Sequence, residues 1–200
     1  MRIIVIGGGG TIGKVIVGAL AGKHEVLIAG RTAGDYAVDM SSPESLKAFF
    51  ESVGEVDAIV SAAGAARFGP LDKLTDEDFD FSLKNKLMGQ VNVARFGAKV
   101  VRDGGSITLT SGTLASEPSP GSAAISLVNA GLEGFVRAAA LDLPRGIRIN
   151  IVSPPWISET LAAMGSDTGH GLPATKVAEA YVASIEGTQT GKVIDARGFG

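Results

Sequence analysis

The segment GGGGTIG, residues 7–13, sets four consecutive glycines between an apolar run, IIVI (3–6), and a stretch of helical period. Glycines in that place let the backbone turn sharply and come close to a pyrophosphate. A helix opening in the same loop adds free N–H groups and positive potential. The chemistry implied is dinucleotide binding. Two registers fit: Gly8, Gly10 and Gly13 satisfy G-x-G-x-x-G, while Gly7, Gly10 and Gly13 satisfy G-x-x-G-x-x-G, with Thr11 and Ile12 inside either. After the next apolar run, EVLIA (25–29), Gly30 is followed by Arg31 and Thr32, where an acid would bind ribose hydroxyls. A guanidinium takes a 2′-phosphate bidentately, so NADP(H) is expected in preference to NAD.

A redox cofactor raises the question of a proton. In AAISLVNAGLEGF (123–135), where a reaction centre is expected, the one ionisable side chain is Glu133. The two histidines, His24 and His170, and the absence of cysteine give no metal-ligand spacing and no thiol nucleophile.

These residues need a scaffold. IIVI, EVLIA, DAIV (57–60), SITLT (106–110), IRINIV (147–152) and KVID (192–195) read as strands. Their hydrophobicity is continuous rather than alternating, the mark of a parallel sheet buried on both faces. Helices are expected at about 12–21, 43–53, 76–102, 122–143 and 174–186, with Ser42 before Pro43 and Thr75 before DED as starts. The alternation predicts a single-domain, doubly wound α/β fold of Rossmann type. Only eleven residues, Gly30 to Met40, separate EVLIA from Ser41–Ser42, too few for a crossover helix, so a short strand near Ala37–Val38 is expected. The stretch 155–173 is the least regular and reads as a mobile flap.

Composition narrows the class. The 200 residues are 45% hydrophobic and 20% charged with a net charge of −3, a globular balance with no basic tract for nucleic acid or anionic lipid. No apolar stretch is expected to approach the roughly 20 residues that cross a bilayer. A cytoplasmic protein is expected.

With these landmarks in place, the chain resembles the short-chain dehydrogenase/reductase family over nearly its whole length. The resemblance rests on GGGGTIG (7–13), VD (38–39), VSAAG (60–64), TDEDFDFSLKNKLMG (75–89), GGSITLTSG (104–112), GLEGFVRAAALDLPRGIRINIVSPP (131–155) and TGKVIDARG (190–198), of which PRGIRINIVSP is the most specific. It implies a sheet of about seven parallel strands. It also implies a homodimer or homotetramer formed through the helices at 76–102 and 122–143. Asp39 would meet the adenine amine, Ala62, Ala63 and Gly64 would line the adenosine, and Ile157 would lie against the nicotinamide amide, with Pro154 in the same cofactor-binding set.

The family's proton-transfer residues do not carry over. Its Tyr position falls at Ile125, its Lys at Asn129, its Ser at Gly112 beside Ser111, and its Asn at Lys86. The two tyrosines, Tyr36 and Tyr181, lie elsewhere in the sequence. Lys86 becomes the leading candidate for the proton, Ser111 the candidate hydroxyl, and Asn129 a partner for a ribose hydroxyl. The resemblance implies an NADP(H)-dependent oxidoreductase acting on a small carbonyl or alcohol with an altered catalytic site. A non-catalytic NADP(H)-binding sensor or partner-binding module is the alternative.

Overall fold

Alternate residues of the first strand enter different cores. Ile3 and Val5 pack on one face of the sheet with Ile16, Leu20 and Tyr181, while Ile4 and Ile6 pack on the other with Leu46, Phe50 and Leu132. A strand buried on both faces must be apolar throughout, which is why IIVI shows no alternation. The computed structural model describes residues 1–199. Seven parallel strands, β1 (Arg2–Ile6), β2 (Glu25–Gly30), β3 (Tyr36–Ala37), β4 (Val56–Ser61), β5 (Val101–Thr110), β6 (Arg148–Ser153) and β7 (Val193–Asp195), form one sheet in the order β3-β2-β1-β4-β5-β6-β7. Helices α1 (Thr11–Ala21) and α7 (Ala174–Glu186) supply residues to the first core, and α2 (Pro43–Val53), α4 (Gly89–Gly97) and α5 (Ala123–Asp142) to the second.

The step from β2 to β3 has no helix. The loop falls back beside β2 far enough for the Asp35 amide to donate to the Ile28 carbonyl at 2.8 Å, and for the Asp35 carboxylate to accept from the Ile28 amide at 2.9 Å. It then turns upward, pairing Ala29 with Tyr36 and Gly30 with Ala37. Two parallel residues thus pair across a loop far shorter than an ordinary crossover.

Three expectations need correction. The long helix expected over 76–102 is three pieces: α3 (Asp76–Ser82), a π-helical turn (Leu83–Met88) and α4, and β5 already begins at Val101. Thr75 caps α3 through a reciprocal pair of bonds with Asp78, as its sequence promised, but residue periodicity does not register a wider turn inside a helix. The flap also holds a short helix, α6 (Ser158–Ala163), and a bridge from Ile157 to Leu172. Finally, the 20 residues of α5 have the length and apolarity of a membrane-crossing helix, which Glu133 and Arg137 hide from a search for unbroken runs. Leu132 and Val136 of α5 are packed in the core of the sheet.

Candidate active site

The strands β1 and β4 sit side by side while their connections leave in opposite directions, and the cleft above their C-terminal ends is where open α/β sheets bind ligands. Two adjoining cavities occupy it, of about 330 Å³ and 270 Å³, sharing Ala63 and Gly64.

The smaller cavity is lined by Gly7, Gly30, Arg31, Val38, Asp39 and Asn85, among others. Gly7 brings the glycine loop to its wall. Gly7 has φ +84°, and a Cβ there would stand 2.8 Å from that of Ala63. A Cβ on Gly13 would overlap the Gly7 carbonyl. Gly10 donates to that same carbonyl at 2.9 Å and caps α1 without any side-chain bond. The amides of the first turn, Thr11 to Gly13, therefore open toward the cleft with the helix's positive end behind them. Gly8 is equally confined, since a Cβ there would stand 2.8 Å from Ile28 Cγ2, but its φ is not positive.

Arg31 is exposed at the edge of this cavity and forms no ion pair among the described residues. Thr32 is exposed and does not line the cavity. Oδ1 of Asp39 accepts from the Ser41 amide at 2.9 Å and its hydroxyl at 2.8 Å. Those two bonds, with a smaller contribution from Arg31, hold its carboxyl below the usual range.

The larger cavity is lined by Ile12, Ala62, Lys86, Gly112, Ile125, Asn129, Pro154, Trp156 and Ile157, with Thr110, Ser111, Thr113, Leu114, Pro155 and Thr160 completing the wall. The positions where the family resemblance expects Tyr, Lys, Ser and Asn thus do converge, but as Ile125, Asn129, Gly112 and Lys86. No tyrosine lines it. Tyr181 lies behind the wall, its hydroxyl 2.6 Å from Thr110 Oγ1, with burial pushing its pKa up. Tyr36 belongs to β3 at the other end of the cleft.

Lys86 is 9% exposed, and no carboxylate lies within ion-pair distance among the described residues. Its stem crosses Gly64, where a Cβ would meet Lys86 Cγ at 3.2 Å, and Nζ donates to the Ser111 carbonyl at 3.1 Å. Burial alone lowers its pKa to about 8. The π turn places this ammonium, because the wider turn sets the register of residues 83–88 relative to α3 and α4. A solvated or ion-paired helix lysine, the ordinary role for this residue type, is not what the structure contains.

Ser111 lines the larger cavity. Its hydroxyl donates to Glu133 Oε1 at 3.0 Å, so its contribution to Lys86 is its carbonyl. Asn129 is 1% exposed, its Nδ2 donates to the Gly112 carbonyl at 3.4 Å, and its Oδ1 has no protein partner. A buried acceptor left unpaired is costly unless a ligand donor meets it, and a ribose hydroxyl is such a donor.

Sequence reasoning missed Gln90. Its side-chain amide bonds both backbone groups of Thr110, each at 2.8 Å, fixing the end of β5 where the Ser111 carbonyl begins. A glutamine inside a helical run carries no signal of that role. Trp156, 39% exposed, forms the outer wall and meets Phe68 edge-on with ring centres 6.2 Å apart. His170 does not reach either cavity, and no cluster of metal-ligating side chains occurs among the described residues.

Known proteins are similar to this chain in sequence and fold. A family model described as Enoyl-(Acyl carrier protein) reductase matches residues 17–190. Hydroxynaphthalene reductase arp2 of Aspergillus fumigatus is 29% identical over 137 residues, 66% of this chain and 50% of that protein. The 3-oxoacyl-(acyl-carrier-protein) reductase of Mus musculus is 28% identical over 158 residues, 78% of this chain and 65% of its own length. The chain spans between half and two thirds of these relatives. Among solved structures, the protein lin1944 from Listeria innocua superposes with a TM-score of 0.94 at 41% identity, covering 98% of both chains. A small-chain dehydrogenase in complex with NADPH gives a TM-score of 0.86 at 28% identity over 98% of this chain and 95% of that one. Sheet order, glycine loop and family match agree, and the chain belongs to the short-chain dehydrogenase/reductase family.

Proposed function

We propose that this protein is an NADP(H)-dependent oxidoreductase of a small, uncharged carbonyl or alcohol, with Lys86 as the proton donor. The observation that carries the reading is the buried Lys86 ammonium, unpaired with any acid and facing the larger cavity. NADPH, when bound, would supply the hydride. The α1 amides would take its pyrophosphate, Arg31 its 2′-phosphate, Asp39 and Ala62 to Gly64 its adenosine, and Asn129 Oδ1 a ribose hydroxyl. Pro154 and Ile157 would flank the nicotinamide. The similarity to a dehydrogenase in complex with NADPH supports this choice of nucleotide.

During reduction, Lys86 Nζ would give a proton to the oxygen on which negative charge develops, and solvent would restore it. A positioned acid of this kind contributes about 10²–10⁴ in rate. The apolar walls Leu114, Ile125, Pro155 and Trp156 would exclude water and favour an uncharged substrate. NADPH consumption across a panel of apolar aldehydes and ketones tests the reading. Turnover with at least one of them is expected, with NADPH preferred to NADH. The second reading, a nucleotide-binding module without catalysis, is favoured by Ile125 and Asn129 at the family's Tyr and Lys positions. It wins if NADPH changes Trp156 fluorescence while no carbonyl is turned over.

The exposed side of α5 supports self-association. Between α4 and α5 a groove of about 270 Å³ is lined by Phe135, Ala138, Ala139 and Leu143, with Arg95 and Asp142 also at its wall. A two-fold partner would bury this groove against its own copy, as in an isologous interface. Sedimentation should give a dimer or tetramer that Phe135→Glu dissociates. A monomeric parent protein removes the interface.

A further inference from the structure

A buried lysine without an acidic partner can act through its nitrogen lone pair as well as its proton. Lys86 Nζ lies at the wall of a cavity of about 330 Å³, held by one hydrogen bond to the Ser111 carbonyl. Leu114, Ile125, Pro154, Pro155 and Trp156 form much of the cavity wall beside the polar Thr113, Asn129 and Thr160, so an apolar group is accepted more readily than a solvated ion. The Ser111 carbonyl accepts a hydrogen bond from either form of the nitrogen, and no carboxylate holds it protonated.

We propose that Lys86 captures unhindered apolar aldehydes covalently and reversibly, as an imine. The Nζ lone pair forms the C–N bond while the carbonyl π pair moves to oxygen. A proton transferred from nitrogen to that oxygen gives the carbinolamine. Loss of the hydroxyl with the second nitrogen proton, as one water, forms the C=N bond, so atoms and charge balance without any oxidant or reductant. Lowering the pKa from 10.5 to about 8 raises the neutral amine fraction at pH 7.5 by roughly 200-fold over an ordinary lysine. Capture needs no nucleotide and therefore stands apart from hydride transfer.

The test uses the whole protein at pH 7.5 with benzaldehyde and cyanoborohydride, read by intact mass and peptide mapping. One benzyl group per chain is expected, on Lys86, at least tenfold faster than on any other lysine and absent from Lys86→Met. Mapping the parent protein keeps the test independent of whether the variant folds. Label spread evenly over surface lysines, or an unlabelled Lys86, overturns the proposal. Glyoxylate, a charged aldehyde, should label Lys86 at least tenfold more slowly than benzaldehyde, and equal rates overturn the apolar preference. NADPH turnover assayed in parallel reports separately on the oxidoreductase reading, since either activity can fail without the other.

Discussion

The two halves of the cleft are made from different material. The half under Arg31 is mostly backbone: a turn at Gly7, space at Gly13 and the open amides of α1. The half around Lys86 is side chains: an ammonium, an unpaired amide oxygen and apolar walls. Backbone features demand glycine at fixed spacing, so the first half keeps a familiar pattern. A proton, by contrast, needs only a nitrogen or oxygen in the right space, from whichever element can reach it. In the proposed reading it comes from Lys86 in the π turn between α3 and α4, while α5 presents Ile125 and Asn129. On this reading Lys86 serves chemistry and Arg31 serves binding, so substitutions at these two residues should have separate effects.

Lys86→Met should have the largest effect. Turnover is expected to fall about 10²–10⁴-fold, while NADPH affinity stays within a few-fold. Loss of both together would break the separation. The same change should stabilise the fold. The Lys86 pKa is about 8 in the native protein and 10.5 as the ordinary value. Below pH 8 both states carry the proton, and the native state bears the full cost of burying it. Between pH 8 and 10.5 the unfolded state binds more protons, so stability rises with pH, by about 3 kcal/mol in all. Denaturant unfolding at pH 7 should show the variant more stable by a comparable amount, with the difference vanishing toward pH 10.5. Reduction by the parent protein should be flat below pH 8 and decline above it as the donor loses its proton.

The fold was legible because its signals are local and repeated. Continuous apolar runs marked both-face burial, Ser42 and Thr75 marked helix starts, and the eleven residues after EVLIA left no space for a helix. The cofactor half was legible for a similar reason, although the positive φ of Gly7, which distinguishes it from Gly8, leaves no trace in the sequence. The reactive half was legible in position but not in contacts. Ser111 was expected to present its hydroxyl to the cavity, and that hydroxyl donates to Glu133, 22 residues further along the chain and on α5. Gln90 and the π turn left no pattern, because one depends on a partner across space and the other on a backbone register that side-chain periodicity does not encode.

Arg31→Ala sharpens the comparison from the other half. The guanidinium is exposed and free of acids, so its removal should cost little stability. A charge-assisted pair with a 2′-phosphate in that setting corresponds to about tenfold in affinity. Calorimetry should show NADPH weakened by that factor and NADH hardly changed. Equal weakening of both would mean that Arg31 does not read the 2′-phosphate.

The smallest effect tests whether the reactive half is packed for its own residues. Gly112 has extended backbone, so torsion does not exclude a side chain there, but space does: a Cβ would lie 3.0 Å from Asn129 Nδ2 and 3.5 Å from the Pro154 carbonyl. Gly112→Ser, which restores the family's residue type, should therefore cost about 1 kcal/mol by overpacking. In a chain of this length that corresponds to a fall of about 3 °C in Tm. Pairing it with Asn129→Ala should recover most of the loss, because the crowded atom is gone. Strict additivity of the two changes would show that Asn129 is not what excludes the serine. Neither variant should gain turnover, since Lys86, the proposed donor, is unchanged in both.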